Sequence, residues 1–322
     1  MIRRAIPVAL FTVLFAPLAH GQQVPDPNFK FANPNPAFAE GKGPVVCIDE
    51  AHNNFHTAGG RYQSFADVLR GDGYVVKAST GKFTRETLDA CAVMTIANAI
   101  GDANVEDWAY PHSSAFSKDE LNALYAWIKE GGALLLIVDH APMAGAADDL
   151  GALLGVAMFN GYARGNRDGA PPDTFTLADG TLKPHPILAG RNEEEAISAI
   201  ATFTGHPFHA SRDFKPLMVF GPGAVANTIP LHNFPKMPQE EWPTLEIAGW
   251  WHGGTRMLGK GRVVLLGEAA MCSAQLAGPD KWTMGMNHPK AAQNAQFCLS
   301  TVRWLTGVLD PPALASQPEP KP

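Results

Sequence analysis

The sequence predicts an α/β protein built around a mostly parallel sheet. Apolar runs of strand length alternate with segments in which apolar residues recur at helical spacing, a pattern typical of β-α-β units. Several of the apolar runs are nearly continuous, as expected for strands that are covered on both faces. The 322 residues are 46% hydrophobic and 17% charged, which is typical of a globular protein with a large core.

The first predicted β-α-β unit follows Gly43 and Pro44. The apolar run over residues 45–48 predicts a buried strand. Residues 61–70 have the spacing of an amphipathic helix, and residues 74–76 form the next apolar run. The crossover between the two strands is expected to be right-handed.

A third strand is predicted over residues 91–97, after a short helix at 85–90. Ser117 and Glu120 then form a capping box, which predicts the start of a helix that ends at about residue 130. The near-continuous apolar run over residues 133–138 predicts a fourth buried strand, and residues 146–154 read as the next helix.

Residues 156–249 are rich in glycine, proline and short apolar pieces, which predicts an irregular insertion packed on the first layer. Regular patterning returns with a strand over residues 262–267 and a helix that Pro289 opens and Gly307 closes. We therefore expect a single α/β domain over residues 44–309, with 156–249 as an insertion within it.

The N-terminal end of the chain predicts export. Residues 1–21 combine Arg3 and Arg4, an apolar stretch and small residues at the end, which is typical of a secretory signal peptide. The apolar stretch is shorter than the roughly 20 residues that span a bilayer, and no later segment is long and apolar enough. Residues 22–43 predict an extended lead-in, and residues 310–322 a disordered tail. The expected location is the periplasm or the medium, with no transmembrane segment after cleavage.

Export makes disulfides possible for the four cysteines, which are Cys47, Cys91, Cys272 and Cys298. Four cysteines allow three connectivities, and the sequence does not choose among them. Cys47 and Cys91 lie in or beside predicted core strands, so we expect them to be free thiols that pack as small apolar side chains.

The net charge of −6 and the pI near 6.0 exclude an electrostatic case for a nucleic-acid partner, since lysine and arginine form no cluster. The expected partner is a small molecule or a component derived from the cell envelope.

Three segments resemble a known family. They are Gly-Gly-Ala-Leu-Leu-Leu-Ile-Val-Asp-His over residues 131–140, Gly-Arg-Val-Val-Leu-Leu-Gly-Glu over residues 261–268, and Val-Arg-Trp-Leu over residues 302–305. They resemble the class I glutamine amidotransferase-like superfamily, and more closely its uncharacterised exported bacterial members. The similarity covers roughly residues 44–156 and 257–307. It implies a flavodoxin-like three-layer sandwich with a mostly parallel sheet.

The superfamily's nucleophilic cysteine is absent from this chain. The corresponding turn holds Asp139-His140-Ala141-Pro142. Glutaminase activity is therefore not expected, and the fold alone does not imply another activity.

Polar residues follow three of the predicted strands, at residues 49–56, at Asp139 and His140, and at Glu268. Because ligands bind beyond the carboxyl ends of parallel strands, we expect these groups to converge on one site. In a first hypothesis His52 and His56 bind a divalent metal (Zn, Mn or Fe) that activates water for hydrolysis, with Asp49 as the carboxylate ligand. Asp139 and Glu268 are the alternative carboxylates, and His140 is a further candidate ligand.

In a second hypothesis no metal is present, and a histidine with a carboxylate partner acts as general acid and base. The candidate pairs are His140 beside Asp139, and His52 oriented by Glu268. A third interpretation is structural: the same groups cap helices and hold loop amides.

Five further residues are predicted to contact the ligand, namely Asn53, Asn98, Trp108, Tyr110 and His288. The leading functional prediction is an exported hydrolase-like enzyme that uses the catalytic residues His52, Asp139, His140 and Glu268 on a small or envelope-derived substrate. The alternative is a non-catalytic protein whose cavity, rimmed by aromatic side chains, binds a saccharide or an envelope component.

Overall fold

The computed structural model describes residues 23–165, 171–231, 237 and 241–311. The predicted signal peptide, and the predicted tail beyond residue 311, lie outside the described residues.

Within these ranges the chain forms seventeen strands and seven α-helices. The strands are β1 Gln23–Pro25, β2 Val45–Asp49, β3 Val75–Ser79, β4 Val93–Ala97, β5 Ala133–Ile137, β6 Val156–Met158, β7 Gly161–Arg164, β8 Asp173–Thr176, β9 Ala199–Thr202, β10 Phe208–Ala210, β11 Phe214–Val219, β12 Val225–Thr228, β13 Thr244–Glu246, β14 Trp251–Leu258, β15 Gly261–Leu266, β16 Ala274–Ala277 and β17 Trp282–Gly285. The helices are α1 Gln63–Gly71, α2 Arg85–Asp89, α3 Lys118–Glu130, α4 Met143–Ala146, α5 Asp148–Leu154, α6 Pro186–Ala189 and α7 Asn294–Leu305. None of them is long and apolar enough to cross a membrane.

The main sheet has nine strands in the order β3-β2-β4-β5-β15-β14-β10-β6, and β11 also pairs with β14. The pairings from β3 to β15 are parallel. The pairings that involve β14, β10, β6 and β11 are antiparallel. The sheet is therefore half parallel and half antiparallel.

The predicted mostly parallel, flavodoxin-like sandwich is wrong. Besides the antiparallel half of the main sheet, three small sheets are present, ordered β1-β16-β17, β13-β12-β7 and β8-β9, and their pairings are antiparallel. Strands of three to eight residues, from β6 to β14, occupy the region predicted as an irregular insertion and continue past it. Strands as short as three or four residues show too few alternations for the period of two to be recognised in the sequence.

The parallel half carries core on both faces. Val46 and Ile48 belong to one hydrophobic cluster, which includes residues of α1 and α7. Cys47, between them in β2, belongs to a second cluster, which includes residues of α3 and α5. Successive side chains of a strand point to opposite faces, so a strand of this kind is buried throughout.

All four cysteines form disulfides, Cys47 with Cys91 and Cys272 with Cys298. The prediction of free thiols at Cys47 and Cys91 is wrong. Cys47 lies in β2 and Cys91 just before the neighbouring strand β4, and the pairing of these strands brings the two Cα atoms to 5.7 Å. That separation is within the usual range for a disulfide.

The predicted lead-in is fixed to the domain by hydrogen bonds to Asp72, which is a member of a buried ion pair. The Arg303 guanidinium donates to both carboxylate oxygens of Asp72, at 2.8 and 2.5 Å, and both side chains are fully buried. Asp72 also accepts hydrogen bonds from Asn33 Nδ2 and the Ala37 amide. Removing one member of such a pair leaves the other as an uncompensated buried charge.

Candidate functional site

A cavity of about 280 Å³ lies at the carboxyl ends of β4 and β5. Its polar lining includes His56, Arg61, Asn98, Asp139, His140 and Tyr162. The aromatic side chains of Phe55 and Trp108 form part of its apolar wall. Four of the predicted site residues at strand ends therefore do come together here: His56, Asn98, Asp139 and His140.

Asn98 connects two of these groups. Its Oδ1 accepts a hydrogen bond from the Asp139 amide at 2.8 Å, and its Nδ2 lies 3.3 Å from His56 Nδ1. The backbone of Asn98 has a φ of 52°, in the left-handed region that asparagine tolerates better than most residues. Because the Asp139 amide can only donate, Asn98 must present its NH₂ group to His56.

His56 is consequently a neutral side chain with a defined tautomer. Its Nδ1 accepts from Asn98, so its proton lies on Nε2, which has no hydrogen-bond partner among the described residues. Burial lowers the pKa of His56 to about 3, and the positive charge of Arg61 contributes in the same direction. His56 therefore adds no charge to the cavity at neutral pH.

His140 has one nitrogen engaged and one unengaged. Its Nδ1 donates to the Ala141 carbonyl oxygen at 2.7 Å. Its backbone amide donates to Asp139 Oδ1 at 2.9 Å, and its ring stacks on Tyr162 with centroids 4.0 Å apart. The neutral ring thus carries its lone pair on Nε2, for which the described part of the chain provides no partner. A nitrogen in this state can accept a proton from a bound molecule.

Arg61 supplies the positive charge of the cavity. Its guanidinium carbon lies 4.5 Å from the centroid of the Phe55 ring. Burial lowers the pKa of Arg61, and the nearby carboxylate of Asp139 opposes that shift. No hydrogen bond or ion pair links the Arg61 side chain to another residue in the described ranges.

A second cluster, Asp49-His52-Glu120, is built from the same residue types but is closed. His52 Nδ1 lies 2.8 Å from Asp49 Oδ2, and His52 Nε2 lies 2.8 Å from Glu120 Oε1. The imidazole is buried between the rings of Phe83 and Phe116. Both nitrogens of His52 are therefore used within the protein.

The carboxylates of this closed cluster have further donors. Asp49 accepts from the Ala51 amide and Asn54 Nδ2, and Glu120 accepts from the amide and hydroxyl of Ser117. The predicted capping box of α3 is confirmed by the reciprocal bonds between Ser117 and Glu120. Glu120 thus joins a helix cap to a strand end.

Ionisation in the closed cluster follows from these contacts. Burial by itself would lower the pKa of His52, but the hydrogen bonds and the charge of Asp49, together with the bond to Glu120, raise it above the usual 6.5. Burial would raise the pKa of Glu120, yet its bonds to His52 and Ser117 lower it to about 2. The contacts with Asp49 and Glu120 therefore favour the imidazolium form of His52 more than in a free histidine.

The predicted metal ligands Asp49, His52 and His56 are not brought together. Asp49 and His52 bind each other, whereas His56 lies in the cavity with Asn98. Across the described ranges, no group of three or more His, Cys, Asp or Glu side chains is arranged to hold a metal ion.

The predicted pairing of His52 with Glu268 is wrong, because the partners of His52 are Asp49 and Glu120. Glu268 is fully buried and accepts hydrogen bonds from the amides of Ala270 and Met271, at 2.8 and 2.7 Å. Burial, followed by the negative charge of Asp139, raises its pKa well above the usual range. Glu268 holds the loop after β15 and is not among the residues that line the cavity.

Trp108 lines the cavity, but three other predicted ligand contacts do not. Asn53 is exposed, with a φ of 50°, and donates to the Ile100 carbonyl and to Asp102. The Tyr110 hydroxyl donates to the Asn160 carbonyl, and His288 accepts from the Lys290 amide as a helix cap. These three side chains have local structural roles.

Several lining residues were not predicted from the sequence. Arg61 follows the His-rich segment without a motif of its own, and Tyr162 lies in β7, within the region predicted as irregular. Gln23 comes from β1 of the lead-in, which pairs with β16, where Gln275 lies. The run of polar residues after β2 could have indicated Arg61, but no local sequence pattern marks Tyr162, Gln23 or Gln275.

No family model and no curated protein matches the sequence. The resemblance to the amidotransferase-like superfamily stays a prediction.

Solved structures give more distant similarities. The "mmIFT52 N-terminal domain" is 14% identical with a TM-score of 0.57, covering 81% of this chain and 97% of that one. A ThuA-like protein from Bacteroides uniformis is 15% identical with a TM-score of 0.46, covering 86% and 94%. A β-galactosidase from Bacillus circulans sp. alkalophilus is 8% identical with a TM-score of 0.40, covering 82% of this chain and 30% of that one. The similarity to the first shows a shared fold alone, and the other two are too distant to carry an argument.

Proposed function

We propose that the cavity is the active site of a hydrolase-like enzyme in which His140 acts as the general base. The observation that carries this proposal is the state of the His140 ring, whose Nδ1–H is fixed on the Ala141 carbonyl while Nε2 has no partner in the described chain. A lone pair on a positioned imidazole beside a cavity that could hold a small molecule is the arrangement that proton abstraction requires.

Water is the nucleophile in this proposal. The described lining contains no serine or cysteine, and the four cysteines are all in disulfides. Thr204 also lines the cavity, but no hydrogen bond joins it to His140 in the described chain. His140 Nε2 takes a proton from water as the water oxygen bonds to the electrophilic atom of the substrate. The bond to the leaving group then breaks, and the leaving group takes up the proton from His140. The proposal assigns the stabilisation of the imidazolium formed in between to the carboxylate of Asp139, whose Oδ1 accepts from the His140 amide.

The proposed reaction uses no metal ion, because His140 itself takes the proton from water. Among the described residues, the histidines and carboxylates at these strand ends either bond to one another or lie too far apart to form a metal site. Asn98 and His56 have a positioning role: Asn98 Oδ1 accepts from the Asp139 amide at the edge of the cavity, and His56 Nδ1 accepts from Asn98 Nδ2.

Export to the periplasm or the medium is part of the proposal. Two disulfides support it, since disulfides form and persist in oxidising compartments.

A non-catalytic ligand-binding protein is the second candidate. The observation that favours it is the amide and aromatic character of the wall, with Gln23, Gln275 and Trp108 beside the charged groups. Amide groups can bind the hydroxyls of a sugar and aromatic rings can pack on its C–H faces, and neither contact requires that the protein catalyse a reaction.

The test is a turnover screen of the mature protein against chromogenic esters, amides, glycosides and phosphate esters. We expect hydrolysis in one class, and a loss of about 10²- to 10⁴-fold in the His140→Ala variant. His209→Ala is the matched control, because His209 is exposed and packs on Trp250 outside the cavity lining. A His140→Ala variant with the turnover of the parent would contradict the proposal. Absence of hydrolysis in all four classes, with saccharide binding retained, would favour the second candidate.

A further inference from the structure

We infer that the ligand of this cavity is a small molecule carrying one carboxylate group, which binds the guanidinium of Arg61. This inference rests on the proposed function only in taking the same cavity as the site. It names the chemical class of the ligand, which the proposed function leaves open.

The first step is the unpaired state of Arg61. Phe55 contacts the guanidinium through its ring and offers no hydrogen-bond acceptor. The five N–H donors of the guanidinium therefore have no protein acceptor in the described ranges. Other buried or half-buried arginines of this protein are paired, Arg303 with Asp72 and Arg191 with Glu195. A half-buried cation at a cavity wall without such a partner is suited to an anionic ligand.

The second step is the charge of the lining. Arg61 and Asp139 are the only Arg, Lys, Asp or Glu side chains in the described lining of the cavity, and His56 is neutral at neutral pH. With one cation and one nearby anion, the lining can balance a single negative charge on the ligand, such as that of a monovalent carboxylate. A phosphate dianion would carry excess negative charge into this setting, where a second cation is expected for its binding.

The third step concerns the other end of the ligand. Asp139 Oδ1 accepts from the His140 amide, whereas Oδ2 accepts no hydrogen bond from the described residues. A ligand that carries a hydroxyl or amine donor as well as the carboxylate can satisfy Asp139 and Arg61 together. The volume of about 280 Å³ is sufficient for a molecule of monosaccharide size, such as a sugar acid.

The experiment is calorimetric titration of the mature protein with matched sets of probes. D-glucuronate, D-glucose and D-glucose 6-phosphate share one ring and differ at C6, and D-galacturonate with D-galactose forms a second pair. L-lactate with propane-1,2-diol forms a smaller pair. We expect the carboxylate to bind about 10- to 100-fold more tightly than its neutral partner in at least one pair, as a charge-assisted bidentate contact provides.

Arg61→Gln should remove this preference. Arg61→Lys should retain only part of it, because lysine keeps the positive charge but cannot make the bidentate contact of a guanidinium with a carboxylate. Arg70→Gln is the control, since Arg70 is an exposed arginine of α1 that pairs with Asp67. Equal affinity within every pair, no measurable binding of any probe, tighter binding of the phosphate, or an unchanged preference in Arg61→Gln would each overturn the inference.

The outcomes separate the two proposals. A carboxylate preference in a protein without hydrolytic activity leaves this inference standing and removes the proposed function. Hydrolysis that depends on His140, without any preference for carboxylates, does the reverse.

Discussion

His52 and His140 both follow strands of the parallel half of the sheet, and both lie close to carboxylates, yet their surroundings differ. His52 has each ring nitrogen 2.8 Å from a carboxylate oxygen and is almost fully buried. His140 has one nitrogen on a backbone carbonyl, and its other nitrogen has no partner in the described chain, at the wall of a cavity.

The difference shows how a polar strand end can be assigned. When every donor and acceptor of a cluster is used inside the protein, as around His52, the cluster contributes to stability and has no capacity left for a ligand. When a donor or acceptor faces a cavity unused, as at His140 and Arg61, binding a ligand is the way to satisfy it. Residue type does not distinguish the two cases, but hydrogen-bond saturation does.

Replacing His52 by alanine should have the largest effect on stability. It leaves Asp49 and Glu120 as buried carboxylates without their shared cation, and breaking such an arrangement costs about 3–5 kcal/mol. His140→Ala should cost only about 1–3 kcal/mol, since it removes one hydrogen bond to a backbone carbonyl and the stacking of the ring on Tyr162. Urea unfolding of both variants and the parent measures the two free energies.

Equal losses in the two variants would contradict the distinction between the closed cluster and the cavity. A third variant, Glu120→Gln, removes one of the two carboxylates around His52. It checks that the loss of stability in His52→Ala comes from buried carboxylates left without a cation.

The pH dependence of stability should show a smaller effect with a defined sign. The pKa of His52 is raised above 6.5 in the folded protein, so the native state holds this proton more tightly than the unfolded chain. The contribution of His52 is complete below about pH 6.5 and is lost as the pH rises through the folded-state pKa.

The measurement is the free energy of unfolding of the parent and of His52→Ala, in urea, between about pH 6 and about pH 9. The gap between the two proteins should narrow as the pH rises. A gap that stays constant or widens would mean that His52 is not held as an imidazolium.

The sequence was sufficient for the parallel half of the fold and not for the antiparallel half. β2, β4, β5 and β15 were predicted because strands covered on both faces are continuous apolar runs. β14, which begins the antiparallel half, contains Gly253 and Gly254 and has no clear alternation of apolar and polar residues. Hydrophobic periodicity therefore could not predict how far the antiparallel pairing extends.

For the site, local patterns located the strand ends but not the partners across the chain. Asp139, His140, Asn98 and His56 were predicted, since each follows or lies near a strand end. The bond of His52 to Glu120 joins residues 68 positions apart, so the sequence showed only the helix cap. The disulfide between Cys47 and Cys91 likewise depends on the neighbouring positions of β2 and β4, which spacing alone does not reveal.

The most direct test of the account is an NMR spectrum that correlates the ring nitrogens and protons of the histidines near neutral pH, with His52→Ala and His140→Ala used to assign the signals. We predict that His52 carries protons on both nitrogens, and that the neutral form of His140 carries its proton on Nδ1 with the lone pair on Nε2. A neutral His52, together with a His140 ring protonated on Nε2 in its neutral form, would contradict the claim that the first is structural and the second is the base.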